Sequence, residues 1–267
     1  MNLNKIDIKI LNLADKSTRI KYSTLLTRYE DVFTYPLGDK KFHIRHGYGG
    51  LYDYFAFFEQ LGQVHYIVAE DKGNLIAAGC AVLRTINKEK VWYLCDFKLL
   101  EEYRGKGILE KMFKKYVFPF YLKSHKMFFV NMSPVKGNGL VKKSFDIFKL
   151  FDIKTTDLYF FEWSNSSIID SGLNLDDFVI LTNATKKDIV IDSKPYNIYH
   201  LVHKDVGIDW ENFHKEELSV VTSMDTLMYC SPKNDIVDML LQTQQPTTIG
   251  SFVSHKFKPI HYSSSEI

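Results

Sequence analysis

The strongest chemical feature of the sequence is a short basic turn, RGKG, at residues 104–107. It follows an apolar stretch, Val91–Leu100, and precedes an apolar pattern of helical spacing that begins at Leu109. The first amides of a helix have no partner within the helix and carry partial positive charge, and glycine lets a ligand approach the backbone closely. The segment Glu101–Leu109 is therefore predicted to bind an anion, most simply a phosphate group.

Two common nucleotide-binding loops do not match this turn. The P-loop pattern needs a Lys followed by Ser or Thr after its last glycine, and the dinucleotide pattern needs a third glycine after two further residues. Neither occurs at residues 104–112. The dinucleotide fold also needs parallel strands before the turn, whereas the strands predicted here are joined by hairpins.

The elements around the turn follow from hydrophobic periodicity. Before it, alternating residues predict three strands, at Val64–Ala69, Leu75–Thr85 and Val91–Leu100, and the first two are joined by the turn DKGN. After it, the pattern predicts a helix, a strand, a second helix and a further strand. The earlier elements are a strand, a helix, a loop and a short helix, predicted at Ile6–Leu13, Ser17–Tyr29, Phe33–Gly50 and Leu51–Leu61.

This order of elements and the turn itself resemble the GNAT superfamily of N-acetyltransferases, over roughly residues 1–165. The family's signature is a Gln or Arg, then Gly at the fourth position and Gly or Ala at the sixth. The matching residues here, with Leu in place of the final small residue, are Arg104, Gly105, Lys106, Gly107, Ile108 and Leu109. The resemblance implies an α+β (mixed α/β) fold with a central, mostly antiparallel sheet flanked by helices.

The resemblance also implies a ligand, acetyl-CoA or coenzyme A, and the residues that hold it. The amides of residues 104–109 are expected to bind its pyrophosphate. The backbone of Phe97, Lys98 and Leu99 is expected to pair with the pantetheine arm like an added strand, and Asn138 to contact the cofactor from the other side of the cleft. The implied activity is transfer of the acyl group to an amine of a small molecule or a protein.

The catalytic residues are less well defined by the sequence. A carboxylate in an apolar strand is a candidate general base, because burial raises its pKa, and Asp96 has this position. Strand alternation places Asp96 on the face of Trp92 and Leu94, so Tyr93 becomes the better candidate if the cleft lies on the opposite face. The family's proton-donating Tyr corresponds to Phe145, which cannot donate a proton. A catalytically silent CoA-binding or regulatory module is therefore the alternative function.

Composition restricts the other function classes. There are 34 basic and 32 acidic residues, and this near balance argues against nucleic acid as a partner. No apolar stretch reaches the length of a membrane span, and the three cysteines form no metal-binding or redox spacing. We predict a cytoplasmic monomer or homodimer. By the resemblance, the loop Phe42–Tyr52 falls where the family builds its acceptor wall, and it is either a mobile lid or a surface loop with a turn. Its His43 and His46 are not accompanied by the acidic or Cys cluster of a metal site.

The last hundred residues give weaker signals. A polar stretch after Trp163 predicts a boundary between a GNAT-like domain, residues 1–165, and a smaller α+β domain of unknown role, residues 170–267. Strands and one helix, Pro232–Leu241, are expected there. The terminal sequence HYSSSEI is predicted to be frayed, because it is short and polar.

Overall fold

A computed structural model describes residues 5–37, 40–47, 50–131, 152–191, 194–208, 212–223, 225–258 and 261–266. None of the described helices is long and apolar enough to span a membrane. The helices of this part of the chain, apart from single turns of 3₁₀ helix, are α1 (Lys16–Glu30), α2 (Ala56–Leu61), α3 (Ile108–Lys123), α4 (Asn165–Ile168) and α5 (Asp235–Thr243). Asp15 caps α1 by accepting a hydrogen bond from the amide of Thr18. Pro119 lies inside α3, which continues past it to Lys123.

Strands make up most of the fold. Those before α4 are β1 (Ile6–Ile10), β2 (Tyr35–Leu37), β3 (Lys40–His46), β4 (Gln63–Asp71), β5 (Asn74–Ile86), β6 (Glu89–Leu99), β7 (Met127–Asn131) and β8 (Ile153–Trp163). Those after it are β9 (Phe178–Thr182), β10 (Lys187–Ile191), β11 (Lys194–Tyr196), β12 (Ile198–His203), β13 (His214–Glu216), β14 (Thr226–Pro232) and β15 (Thr248–His255).

One large sheet contains eleven strands in the order β1-β4-β5-β6-β7-β15-β8-β14-β12-β9-β13. Only two neighbouring pairs of the described strands are parallel, β6 with β7 and β12 with β14. The predicted α+β fold with a central, mostly antiparallel sheet is therefore confirmed. The meander β4-β5-β6 matches the three strands predicted before the glycine turn.

The C-terminal strands continue this same sheet. Strand β15 lies between β7 and β8 and is antiparallel to both, with Phe252 opposite Val130 on one side and Thr156 on the other. The predicted boundary near residues 165–170 thus falls between strands of one sheet. Independent folding of residues 1–165 and 170–267 stays a prediction.

A second, four-stranded sheet joins the two halves of the sequence. Its order is β11-β10-β3-β2, and its central contact pairs Lys187 with His46 and Asp188 with Arg45. Most of Phe33–Gly50, predicted as a loop, is therefore strand. Its partner β10 is about 140 residues away, and local sequence patterns carry no signal for pairing at that distance.

The C-terminal segment is buried, and the prediction of a frayed tail is wrong. Residues 262–266 are each at most 3% exposed. The guanidinium group of Arg84 binds both carboxylate oxygens of Glu266, with Nη2 2.8 Å from Oε1. The Tyr262 ring packs on Phe128 and Phe252. Polar composition suggested solvent exposure, but these polar groups bond to one another and to Arg84.

Candidate active site

The glycine turn has the geometry of an anion site. After β6 the chain makes one turn of 3₁₀ helix, Glu101–Tyr103, and α3 begins at Ile108. Gly105 and Gly107 have φ values of +72° and +71°, the left-handed conformation that favours glycine. Gly107 is the N-cap of α3, and residues 104–107 are all exposed. The buried Ile108 side chain, 1% exposed, fixes the start of the helix against the sheet.

Backbone amides point out of this turn without helical partners. The first helical hydrogen bond runs from the amide of Lys111 to the carbonyl of Gly107, at 3.0 Å, so the amides of residues 108–110 have no acceptor in the helix. One predicted donor is used elsewhere, because the Arg104 amide donates to the carbonyl of Glu101 at 3.0 Å. Arg104 can therefore contact an anion with its side chain, but its amide could do so only if its hydrogen bond to Glu101 broke.

Leu109 does not crowd the turn. Its half-buried side chain packs with the cluster of Ile6, Ile8 and Met112, between α3 and the edge of the large sheet. The larger residue at the last position of the signature thus adds to the core, and residues 104–107 remain exposed.

The strands beside the turn diverge where the cofactor arm was predicted. Strands β6 and β7 are paired only at Trp92 with Met127 and Tyr93 with Phe128. Beyond this point β6 pairs on its other side with β5, where Lys98 lies opposite Ala78 and Leu99 opposite Ala77. Among the described residues, no strand pairs with the β7-facing edge of β6 over Phe97–Leu99. Such an edge can accept an extended ligand by strand addition.

A β-bulge at Asp96 corrects the predicted strand faces. Asp96 has a φ of +54°, and the register between β5 and β6 shifts between Ala78 and Cys80. The extra residue breaks the alternation. Asp96 therefore bonds to Tyr54 and Tyr66 in the core that also contains Tyr93, and not on the face of Trp92 and Leu94 as strict alternation predicted.

Both carboxylate oxygens of Asp96 have hydrogen-bond donors. Lys98 Nζ donates to one oxygen, and the hydroxyl groups of Tyr54, at 2.7 Å, and Tyr66 donate to the other. The side chains of Asp96 and Lys98 are only 6% and 2% exposed. This arrangement holds the bulge in place from inside the core. The catalytic role of Asp96 stays a prediction.

The charge network extends to α1 and β3. Lys98 Nζ also lies 3.2 Å from Oε1 of Glu30, which in turn lies 2.7 Å from Nδ1 of His46. Burial alone would raise the pKa of Glu30, but His46 and Lys98 lower it below its usual range. Burial opposes the charge of Lys98, yet Asp96 and Glu30 raise its pKa.

Within the part of the chain that the structure describes, the same cluster is the group of side chains most similar to a metal site. Ligand atoms of Glu30, His46 and Asp96 lie within 4.8 Å of one another. The ammonium group of Lys98 already contacts both carboxylates. A metal ion would have to displace this buried lysine, so the residues fit an internal ion pair better than a metal.

Tyr93 is covered by the C-terminal segment. It is 3% exposed, its ring stacks on Phe128 at 4.8 Å, and its hydroxyl donates to the carbonyl of Glu266. Burial raises the pKa of Tyr93 well above its usual range. A catalytic role for Tyr93 stays a prediction, and the hydroxyl has a structural partner.

Sequence reasoning missed Lys187. Its side chain is buried at 5% exposure, with Nζ 4.3 Å from the ring centroid of Phe57, and burial lowers its pKa to about 8. Lys187 lies on β10 opposite His46 of the predicted acceptor wall. A lysine beside Asp in an otherwise apolar strand, KDIVI, was the available signal. Asn138 and Phe145 lie outside the described residues.

Comparison with known proteins agrees with this geometry. Residues 25–127 match the model of the acetyltransferase (GNAT) family. An uncharacterized protein of Acanthamoeba polyphaga mimivirus is 21% identical over 212 residues, which are 71% of this chain and 59% of the viral protein. The chain therefore spans less than two thirds of the length of this relative.

Three solved structures are among those to which the chain is partly similar. Arabidopsis thaliana Naa50, in complex with a CoA-peptide bisubstrate analogue, is 15% identical and is matched over 58% of this chain and 86% of its own, with a TM-score of 0.36. A ribosomal-protein-alanine N-acetyltransferase from Brucella melitensis is 18% identical and is matched over 54% of this chain and 89% of its own, with a TM-score of 0.36. A putative acetyltransferase from Pyrococcus horikoshii is 12% identical and is matched over 98% of this chain and 93% of its own, with a TM-score of 0.46. The family match over residues 25–127 covers less than half of this chain and shows a similarity to the acetyltransferase (GNAT) family.

Proposed function

We propose that this protein is an acyl-CoA-dependent N-acyltransferase that acts on an amine of a small molecule or a protein. The observation that carries the proposal is that the amides of residues 108–110 have no acceptor in α3 and closely follow, in the chain, the edge of β6 at Phe97–Leu99, with which no described strand pairs on the β7 side. The family match over residues 25–127 supports it. A cytoplasmic location, a monomeric or dimeric state and the absence of nucleic-acid and membrane partners stay predictions.

The residues present fit coenzyme A. A Cβ atom added at Gly105 meets nothing within 4 Å, so there is open space in front of the turn. The amides of Gly105, Lys106, Gly107, Ile108 and Leu109 would hold the pyrophosphate, assisted by the cationic side chains of residues 104 and 106.

Two further contacts complete the proposed cofactor site. The backbone of Phe97–Leu99 would bind the pantetheine arm, and Asn138 stays a predicted contact. When bound, acyl-CoA supplies an activated thioester carbonyl for attack by the amine. The attacking amine must be neutral, and a group with a pKa near the working pH removes its proton best.

The side chains near the bulge limit how proton transfer can occur. The Asp96 oxygens are occupied by Lys98, Tyr54 and Tyr66, so Asp96 can accept a proton only if one of these bonds opens. We propose that Asp96 mainly positions the bulge. An Asp96→Asn variant should then lower stability together with turnover. A direct base would instead lower kcat far more than it lowers stability.

Calorimetry with CoA and acetyl-CoA tests the binding part of the proposal. Release of free thiol in the presence of an amine panel tests turnover. Absence of CoA binding would exclude the proposed function. Binding without thiol release across peptides, polyamines and amino sugars would favour the catalytically silent module.

One observation is compatible with the second function, a catalytically silent CoA-binding module. The C-terminal segment covers Tyr93, on the β6 side of the strand divergence, and is anchored by the buried pair of Arg84 and Glu266. A silent module would retain this cover permanently. An enzyme would need an acceptor path that bypasses or displaces it.

A further inference from the structure

An apolar cavity lies between α3 and the large sheet, on the face opposite the Asp96 network. Its volume is about 40 Å³. That is room for roughly three waters, or for a chain of a few carbons. Its walls are Ile67, Cys80, Ala81, Trp92, Leu94, Phe97, Met112, Phe113, Tyr116, Val117, Phe120 and Met127.

The cavity offers almost only hydrocarbon to a ligand, because its polar groups are engaged elsewhere. Trp92 Nε1 donates to the carbonyl of Phe120 at 2.8 Å, and the Tyr116 hydroxyl donates to the carbonyl of Ile8 at 3.2 Å. The Cys80 thiol interacts with Cys95, and burial raises its pKa. A polar ligand would lose its hydration here without replacement, whereas an alkyl chain would gain by burial.

Small residues on β5 create the space. Ala77, Gly79 and Ala81 alternate on the face that α3 covers. The Phe97 ring lies against Gly79, where an added Cβ would approach the ring to 2.7 Å. Phe97 is nevertheless 46% exposed, so a large apolar side chain forms part of the cavity rim.

The cavity and the proposed cofactor path share residues on β6 and β7. Leu94 and Phe97 flank the bulge on β6, and Met127 on β7 belongs to one of the two pairs before the strands diverge. The lining residues of α3 extend from Met112 to Phe120, about 12 Å along the same helix whose first turn carries the free amides. A ligand with phosphates at one end and hydrocarbon at the other matches this layout.

We infer that this cavity binds the alkyl chain of an acyl-CoA longer than acetyl-CoA. The inference rests on the proposed function, because the thioester must lie near the bulge for its chain to enter. It assigns a donor class, medium-length unbranched acyl thioesters, to a site that also accepts the acetyl group.

Calorimetric titration of the full chain with CoA, acetyl-CoA, butyryl-CoA and hexanoyl-CoA tests the inference. Full burial of a methylene tightens binding roughly fourfold, so we expect hexanoyl-CoA to bind roughly tenfold or more tightly than acetyl-CoA. Equal dissociation constants for all four would overturn the inference and leave the proposed function intact. Failure of CoA itself to bind would overturn both.

A cavity-filling variant makes the test specific. Ala81→Leu projects three extra carbons into the cavity and should remove the advantage of hexanoyl-CoA while CoA binds as before. Ala81→Met is the second variant if the branched side chain prevents folding, which thermal melting would reveal. Ala14→Leu, at an exposed position before α1, is the matched control and should retain the full chain-length dependence. Retention of that dependence in folded Ala81→Leu or Ala81→Met would contradict the inference.

Discussion

The large sheet contains two parallel strand pairs, and the connections within them differ. The first runs from β6 through the glycine turn and the sixteen-residue helix α3 to β7. The second runs from β12 to β14, and its described residues form only short strand and 3₁₀ segments. Parallel crossovers alone therefore do not make an anion site. The first has a long helix that begins at an exposed glycine turn, and the described part of the second has no such helix.

Glycine has a different role in each connection. Gly105 and Gly207 have nearly the same left-handed φ, +72° and +74°. In front of Gly105 there is open space, whereas a Cβ at Gly207 would lie 1.9 Å from the Asn87 side chain. Glycine is bordered by open space at the first turn and permits close packing at the second. Backbone conformation alone would not separate these roles.

Strand β6 buries the charged side chain of Lys98, whereas β12 buries His200. Removing the charge of Lys98 should have the largest effect on stability. Lys98→Met leaves Asp96 and Glu30 buried without their shared counter-ion. Loss of one partner of a buried pair costs about 3–5 kcal/mol. We expect denaturant unfolding to show a loss of this size. Lys114→Met, on the exposed face of α3, is the control and should change stability by less than about 1 kcal/mol.

Gly107→Trp should produce the next largest effect, on binding. The bulky side chain covers the amides at the start of α3, and loss of two hydrogen bonds to a charged ligand weakens CoA binding by roughly a hundredfold. Gly172→Trp is a matched control, since Gly172 is exposed, has a φ of +78° and has nothing within 4 Å of an added Cβ. Calorimetry that finds the two variants equal would exclude the turn as the phosphate site.

Acid should destabilise the β12 region through His200. Burial, with a contribution from Lys187, lowers the pKa of His200 to about 3 from the ordinary 6.5. Nδ1 of this histidine lies 2.9 Å from the Ser264 hydroxyl, and Nε2 lies 3.3 Å from Asn183. Between these pKa values the unfolded chain binds a proton that the folded chain does not, so stability falls as the pH decreases below 6.5.

The expected loss from this group is about 2 kcal/mol between pH 7 and pH 5. Urea unfolding at both pH values measures it. In His200→Gln the loss over the same interval should be smaller by this amount, whatever the absolute stability of the variant. An unchanged pH dependence would show that His200 is not held neutral in the fold.

The parts of the fold that the sequence predicted depend on local signals. The hairpin between β4 and β5 has Gly73 in its turn, and β6 and α3 change from a period of two to helical spacing within ten residues. These patterns, with the glycine turn, were sufficient to predict the antiparallel meander and the resemblance to the GNAT family, whose model matches residues 25–127. Each signal lies within the element that it describes or beside it.

The parts that sequence reasoning missed depend on distant partners. The bulge at Asp96 is one extra residue accommodated opposite Gly79, and alternation alone gave the wrong face. Strand β15 pairs with β7 more than a hundred residues away, and β10 pairs with β3 over a similar distance. The buried tail depends on Arg84, 182 positions from Glu266. The sequence shows which residues would be costly to bury, in free energy, because they are polar or charged. It does not identify the distant residue that offsets this cost.

The smallest expected effect separates the two glycine turns directly. Gly207→Ala places a non-glycine residue in the left-handed region and forces the Asn87 side chain to move, at a cost of about 1–2 kcal/mol. The Gly207 carbonyl accepts the Asn87 amide at 2.9 Å, so the turn between β5 and β6 should loosen with it. CoA affinity should not change, because Gly207 lies in the connection within the second parallel strand pair, away from the glycine turn before α3. A stability loss with constant affinity, measured by melting and calorimetry, would assign Gly207 to packing, whereas weaker CoA binding would show that the two connections are coupled.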